Sequence, residues 1–464
     1  MLRVAGTGAL FGAMLALWTG PALAQAGAPK PAAPTATPKP AGQATAPARA
    51  PRTAASRSAA ALAATSEPIL DEGTYQRISQ AMLSYSALQL RGGWPKMPAN
   101  VKFEPGASGP QVALLRQRLA LVDDLPAEKE AGDVYDEDLV EAVKRFQVRH
   151  ALEPTGSVNK KTLDAMNVPV QIRLRALQAS LDRLVGMNFL FAQRYVVVNL
   201  PSTLVEGVVD GKVERRHVVV VGSKAHPSPT LTTSITSVIL NPTWTVPLSI
   251  TKNEIIPHMR RDPSYLSRMR MKVLDASDRE IDPRSINWAS DRPNFNIRQD
   301  SGTGNALGSV KIDMPNPYSV YMHDTNLKNF FDADYRFLSH GCTRVDDVRA
   351  FAEWVLKDTP GWSRAQIDAG IAAGPRKDIR LTQKIPVAWV YLTGWMMKDG
   401  TIQFRDDIYG LDDDAPNASP SAEQSALLNA ARAGGFVPPP VGQAAPAPQR
   451  AAAPVRQVSN LDSQ

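Results

Sequence analysis

Tyr321-Met-His-Asp-Thr325, a spacer, and then Leu338-Ser-His-Gly-Cys-Thr-Arg344 form the stretch on which the reading of this chain turns. It holds the only cysteine in 464 residues, so Cys342 has no partner for an internal disulfide and serves either packing or reactivity. Its neighbours Ser339, His340, Gly341 and Arg344 are polar or small, whereas a structural thiol usually sits among apolar side chains. Downstream, Val348, Phe351, Val355 and Leu356 keep a helical rhythm that predicts a helix over 346–356, with the cysteine just before its start. The positive end of that helix, together with Arg344, favours thiolate over thiol. His323 ends a strand-like run from Tyr318 to Met322, where it can act as the base a sulfur nucleophile needs. On these residues alone, a packed thiol and a satisfied loop histidine stand as the alternative.

Outside this stretch the chain reads as several parts. Arg3, the apolar Ala9 to Trp18 and the small-residue site Ala22-Leu-Ala24 mark residues 1–24 as a signal peptide, with an uncleaved anchor as the alternative. No other apolar run reaches the roughly twenty residues a membrane span requires, so the product is expected to be soluble in the periplasm. Residues 25–66 are Pro/Ala-rich, hold Lys30, Lys39, Arg49, Arg52 and Arg57 without an acidic residue from Gly27 onward, and read as a disordered linker. The net charge of +7 is moderate and partly carried by that linker, which makes nucleic acid a poor partner for an exported protein. Six histidines without HExxH spacing or a His/Cys cluster predict no metal, and the lack of a Walker or dinucleotide glycine motif predicts no cofactor.

The expected fold class is multidomain α+β. A helix over 69–90, in a scaffold segment 67–100, is stopped by Arg91-Gly-Gly-Trp-Pro95; a second striped helix, 172–187, lies in a connecting segment 169–192, and the two are expected to pack together. Between them, 101–168 predicts a three-helix bundle over 111–121, 136–149 and 160–166, in which Tyr135, Gln147 and His150 either face a groove or cap the core. From Tyr195 the pattern changes to valine-rich strands over 195–200, 203–209, 217–221 and 232–245, and later 386–392 and 401–404, giving a mainly β domain over 193–411. An insertion, 247–305, interrupts it with helical patterns over 250–261 and 265–271 and glycines at 302 and 304 that suit a hinged lid. Residues 412–464 read as a disordered tail, with one short helix expected over 421–433.

At the opening stretch the chain resembles a known family. His323, a spacer of about fifteen residues, and Ser339-His-Gly-Cys-Thr-Arg344 look like the signature of the L,D-transpeptidase catalytic domain of YkuD type. Asn241-Pro-Thr-Trp-Thr-Val-Pro247, Arg261-Asp-Pro263, Ala306-Leu-Gly308 and Tyr321-Met-His-Asp-Thr325 resemble its larger Gram-negative branch, typified by YcbB, and the 101–168 pattern resembles the peptidoglycan-binding domain.

The resemblance implies acyl transfer through a thioester: Cys342 as nucleophile, His323 as base, and the Asp324 backbone carbonyl orienting the imidazole, with the Asp324 carboxylate as the alternative. Backbone N–H groups of Gly341 and Cys342 are expected at the oxyanion. Tyr321, Trp244, Ser339, His340 and Arg344 are expected to bind substrate, Arg344 either ordering the loop or binding a carboxylate of the stem peptide. The implied partners are peptidoglycan stem peptides and glycan, the product a 3→3 cross-link between tetrapeptide stems, and the inhibitors carbapenem-type β-lactams; protein partners stay open. The insertion corresponds to a substrate-capping subdomain. Thr343 departs from a more usual aliphatic residue, and His340 occupies a position that varies. Rival readings are an NlpC/P60-type peptidase, disfavoured because His323 precedes Cys342; the same catalytic domain run as a hydrolase or carboxypeptidase, or attaching or detaching an envelope protein; and a non-catalytic wall-binding protein.

Overall fold

A computed structural model describes residues 65–101, 103–290 and 293–413. The expected signal peptide, nearly all of the linker, and all but the first residues of the tail, with its 421–433 helix, lie outside the described residues. No helix of the described residues is long and apolar enough to cross a membrane.

The helical part runs α1 (Thr74–Leu90), α2 (Pro110–Ala120), α3 (Glu137–Arg149), α4 (Lys160–Met166) and α5 (Val170–Val185). Capping fixes the starts of α3 and α4: the Asp136 carboxylate accepts from Leu139 N at 3.0 Å, and Asn159 Oδ1 from Thr162 N at 3.0 Å. Helix α1 begins later than its apolar spacing suggests, because Ile69 N donates to Glu206 Oε2 at 2.8 Å and Gly73 N to Asp71 Oδ1 at 2.9 Å, which turns 69–73 out of the helix. Helices α2 to α4 close over Leu115, Leu119, Leu139, Val143, Phe146 and Met166. Tyr135 donates to Gly156 O at 2.8 Å and Gln147 bonds Thr162, Ser157 and Gly156, so both cap this core rather than face a groove.

The β part contains β1 (Arg194–Asn199), β2 (Leu204–Val209), β3 (Lys212–Gly222) and β4 (Leu231–Leu240). The insertion follows, with β5 (Trp244–Thr245), α6 (Ile256–Arg261), α7 (Tyr265–Arg268), β6 (Met271–Leu274), β7 (Glu280–Ile281) and β8 (Asn296–Gln299). The main sheet resumes in β9 (Val310–Asp313), β10 (Met322–His323), β11 (Phe337–Ser339) and β12 (Thr343–Val345). After α8 (Val348–Val355) and α9 (Arg364–Ala373) come β13 (Lys377–Val390), β14 (Gly394–Met396) and β15 (Ile402–Phe404).

Nine strands pair in the order β11-β3-β12-β10-β9-β4-β13-β1-β2, and the further β2–β3 pairing closes the sheet on itself. Both faces are covered, which explains the uninterrupted valines of β1. Val196 and Val198 enter the inner core with Val219, Ile235 and Phe351, while Tyr195 and Val197 meet Tyr85, Leu177 and Leu181 of α1 and α5 on the outside. The two scaffold helices thus pack on each other and on the sheet.

The insertion is more than a helical lid. Its four strands pair as β5-β8-β6-β7 over their own core of Val246, Ile255, Met259, Val273 and Ile297. Trp244, expected on the main sheet, pairs here with Gln299. Strands of two to four residues are too short for alternation to show in sequence.

A buried ion pair anchors the start of the described chain. Glu206, fully buried, accepts from Arg216 Nε at 2.8 Å, and the same guanidinium donates to Thr65 O and Glu67 O. Glu206→Ala is expected to lower stability by about 3–5 kcal/mol in urea unfolding, because Arg216 and the Ile69 N–H lose their partner; a change under about 1 kcal/mol would mean that water replaces the carboxylate.

Candidate functional site

Parallel strands β10 and β12 lie side by side, with Met322 opposite Thr343 and His323 opposite Arg344. The bond from Thr343 N to Tyr321 O, 3.0 Å, extends the pairing so that Tyr321 flanks Cys342. Met322 and Thr343 are fully buried. By strand alternation, Tyr321, His323, Cys342 and Arg344 share the opposite face. The Tyr321 and His323 rings meet edge to face at 5.6 Å, and the Tyr321 side chain lies close to both the Cys342 thiol and Trp244. The insertion therefore reaches the thiol through Trp244.

His323 is 5% exposed, and its Nδ1 bonds the Asp324 backbone carbonyl, which leaves Nε2 as the free ring nitrogen. The Asp324 carboxylate is engaged elsewhere: it accepts from Ser309 N at 2.9 Å, Ser309 Oγ at 2.7 Å and Lys328 Nζ. Gly308, at φ +59°, makes room for it, since a Cβ there would stand 2.5 Å from Asp324 Cγ. The Ala-Leu-Gly motif thus supports the residue that follows the histidine.

The turn bearing the cysteine is held from within and from the side. Gly341 has φ +106°, a conformation suited to glycine. Ser339 Oγ donates to Cys342 O at 2.5 Å and accepts from Gly341 N at 3.2 Å. Of the two N–H groups expected at the oxyanion, that of Gly341 is thus engaged inside its own turn. Ser339 is buried and braces the turn.

Sequence reading missed Ser228, whose hydroxyl donates to Gly341 O at 2.7 Å and accepts from Gly222 N at 2.9 Å. The turn-forming His226-Pro-Ser-Pro229 was its only signal. His340 is exposed; its Nε2 lies 2.7 Å from Glu254 of the insertion and its ring stacks on His226 at 4.6 Å, so it ties the cap to the turn.

Two electrostatic expectations change. Strand β12 intervenes between Cys342 and α8, so the positive helix end lies beyond the thiol. Burial pushes the Cys342 thiol up to about 11, against the opposing pull of the Tyr321 backbone, Lys311 and Arg344. Burial, with Arg344 and Lys311 nearby, pushes His323 down to about 3 against the Asp324 carbonyl and carboxylate. Both shifts favour thiol and neutral imidazole over an ion pair. Arg344 is half-buried, its guanidinium 5.7 Å from the Phe330 ring centre, and among the described residues its Nε and Nη1 have no hydrogen-bond partner.

Residues 193–362 match the YkuD family, described as the L,D-transpeptidase catalytic domain, and residues 108–166 match a family described as a putative peptidoglycan binding domain. A curated Haemophilus influenzae protein named "Putative L,D-transpeptidase" is 31% identical over 219 residues, which cover 47% of this chain and 44% of that protein. The chain thus spans less than half the length of this relative. A solved L,D-transpeptidase from Mycobacterium smegmatis is 14% identical, covering 43% of this chain and 58% of that one, with a TM-score of 0.22. One from Stackebrandtia nassauensis is 13% identical, covering 64% and 96%, with a TM-score of 0.24.

Proposed function

We infer that a chain carrying a YkuD-type L,D-transpeptidase catalytic domain and a peptidoglycan-binding domain is a wall-bound cysteine acyltransferase, joining tetrapeptide stems by 3→3 cross-links in the periplasm. The observation that carries this reading is the β10–β12 pairing, which sets the one thiol of the chain beside Tyr321 and the histidine that follows.

Cys342 Sγ attacks the carbonyl that precedes the terminal D-amino acid, and its proton passes to His323 Nε2. The Asp324 carbonyl stabilises the imidazolium that forms. The oxyanion is met by the Cys342 N–H, joined by that of Gly341 once it turns from Ser339. His323 then protonates the leaving amine and the D-amino acid departs; the side-chain amine of a second stem attacks the thioester, the C–S bond breaks as the new amide forms, and the amine's proton returns through His323 to Cys342 Sγ. Tyr321 and Trp244 wall the thiol, and Arg344 receives a stem carboxylate.

A guanidinium with unpaired buried nitrogens costs stability until an anion fills the place. Arg344→Met is therefore expected to leave thermal stability unchanged or raised while the KM for a tetrapeptide stem rises about 10²-fold, the size of a lost charged hydrogen-bond pair. A variant that melts lower with KM unchanged would make Arg344 structural.

Incubation with a tetrapeptide-rich muropeptide and separation of the products tests the whole reading. Cross-linked dimers are expected; shortened monomers alone would make the protein a carboxypeptidase, and no product at all would leave a wall-binding protein. The same chemistry predicts acylation by carbapenem-type β-lactams.

A further inference from the structure

Apart from the thiol, a cleft of about 670 Å³ separates the α3–α4 end of the helical bundle from the closed sheet. Its bundle side presents His150, Lys161 and Asp164; its sheet side presents Tyr335, Arg336 and Arg405. Lys161 Nζ reaches across to Asp334 at 2.8 Å, linking the two parts at the surface. Beyond Tyr335 and Arg336 the same segment becomes β11 and ends in Ser339 of the cysteine turn.

The floor carries an excess of buried positive charge. Arg173, Arg336 and Arg405 are 8%, 6% and 6% exposed, and the hydrogen bonds they make go to neutral oxygens: Ala165 O, Thr203 Oγ1 and Ala333 O, and Arg149 O, Phe404 O and Gln403 Oε1. Behind them Arg118 is buried with Nε and Nη1 unpartnered among the described residues, and Arg149 takes the Asp124 carboxylate for itself. Of the cleft's own carboxylates, Asp334 is met by Lys161 and Asp164 by Lys160. Asp406 faces both Arg173 and Arg405, Asp334 also faces Arg336, and Glu153 lines the same cleft. Desolvated guanidiniums whose hydrogen bonds go to neutral oxygens are costly in a folded chain and are suited to an incoming anion. Beside them the exposed Tyr335, with the half-buried His150 ring opposite, offers aromatic surface of the kind that sugar faces cover.

We propose that this cleft binds a stretch of glycan strand whose hexosamines bear free carboxylates, so that stems carried farther along the same strand lie toward β11 and the cysteine turn. The site deepens the wall-acyltransferase reading and rests on it for the identity of the strand. It is formed jointly by the binding module and the catalytic domain, so capture and chemistry share one surface.

The probe is a peptide-free glycan strand with free lactyl carboxylates, which lacks the stem that the thiol site would take. The full chain is titrated with it and, separately, with a neutral chito-oligosaccharide of equal length. The anionic strand is expected to bind at least tenfold more tightly than the neutral one, and Lys161→Glu with Tyr335→Ala to weaken it about tenfold or more. The same double variant should keep its melting temperature and its rate of carbapenem adduct formation at Cys342. Equal binding by the variant, or equal binding of the neutral oligomer, overturns the cleft. A wild-type protein that binds the strand yet forms no adduct supports the cleft and overturns the catalytic reading instead.

Discussion

In Cys342→Ala, incubation with tetrapeptide muropeptides is expected to yield neither cross-linked dimers nor shortened monomers, a loss of about 10⁴-fold or more, while binding to sacculi is unchanged. Both products pass through the same thioester, so removing the sulfur removes both at once. Cys342 is half-buried against the inner core, and its replacement should cost only about 1 kcal/mol of stability, so the loss would not reflect unfolding. Binding survives because the bundle has its own core, formed by Leu115, Val143 and Phe146. Loss of sacculus binding in this variant would instead tie the module's role to the thiol.

His323→Gln is expected to slow acylation by about 10²–10⁴-fold, the usual contribution of a positioned base. With the thiol held at about 11, about one molecule in 10⁴ is thiolate at pH 7, so an unaided sulfur is nearly inert. The sign of the pH dependence follows. His323 stays neutral at every pH above about 3 and the thiol stays protonated below about 11, so the wild-type rate should be flat from pH 5 to 9. In His323→Gln only the thiolate reacts, and the rate should climb about tenfold per pH unit over the same interval. A wild-type rate that steps near pH 6.5 would mean that the imidazole titrates like one in water.

Most of the architecture was legible because its signals are local. The bundle declared itself through Val112, Leu115 and Leu119 at helical spacing and through Asp136 and Asn159 at the caps. The valines of β1 and β3 announced strands, though not that both faces would be covered, since packing by α1 and α5 is a long-range fact. The small sheet of the insertion escaped notice because β5 and β7 have two residues each. At the site, residue types and order singled out Cys342 and His323, the resemblance supplied the Asp324 carbonyl, and the structure places all three on or beside the paired strands β10 and β12.

What sequence could not show was the balance of forces there. Whether Cys342 is thiol or thiolate depends on burial against the charges of Lys311 and Arg344, and the start of α8 was placed too near because the three residues of β12 interrupt the path. Ser228 is 113 positions from Gly341, yet its hydroxyl fixes that turn, a contact no local pattern encodes. Trp244 was chosen as a pocket residue and is drawn to Tyr321, but from the sheet of the insertion rather than the main sheet.

The most direct measurement is the intact mass of the purified protein after exposure to a carbapenem, followed by peptide mapping. One equivalent of added mass, confined to Cys342 and absent from Cys342→Ala, is the predicted result. An unmodified protein, or an adduct on any other residue, would contradict the assignment of this sulfur as the nucleophile.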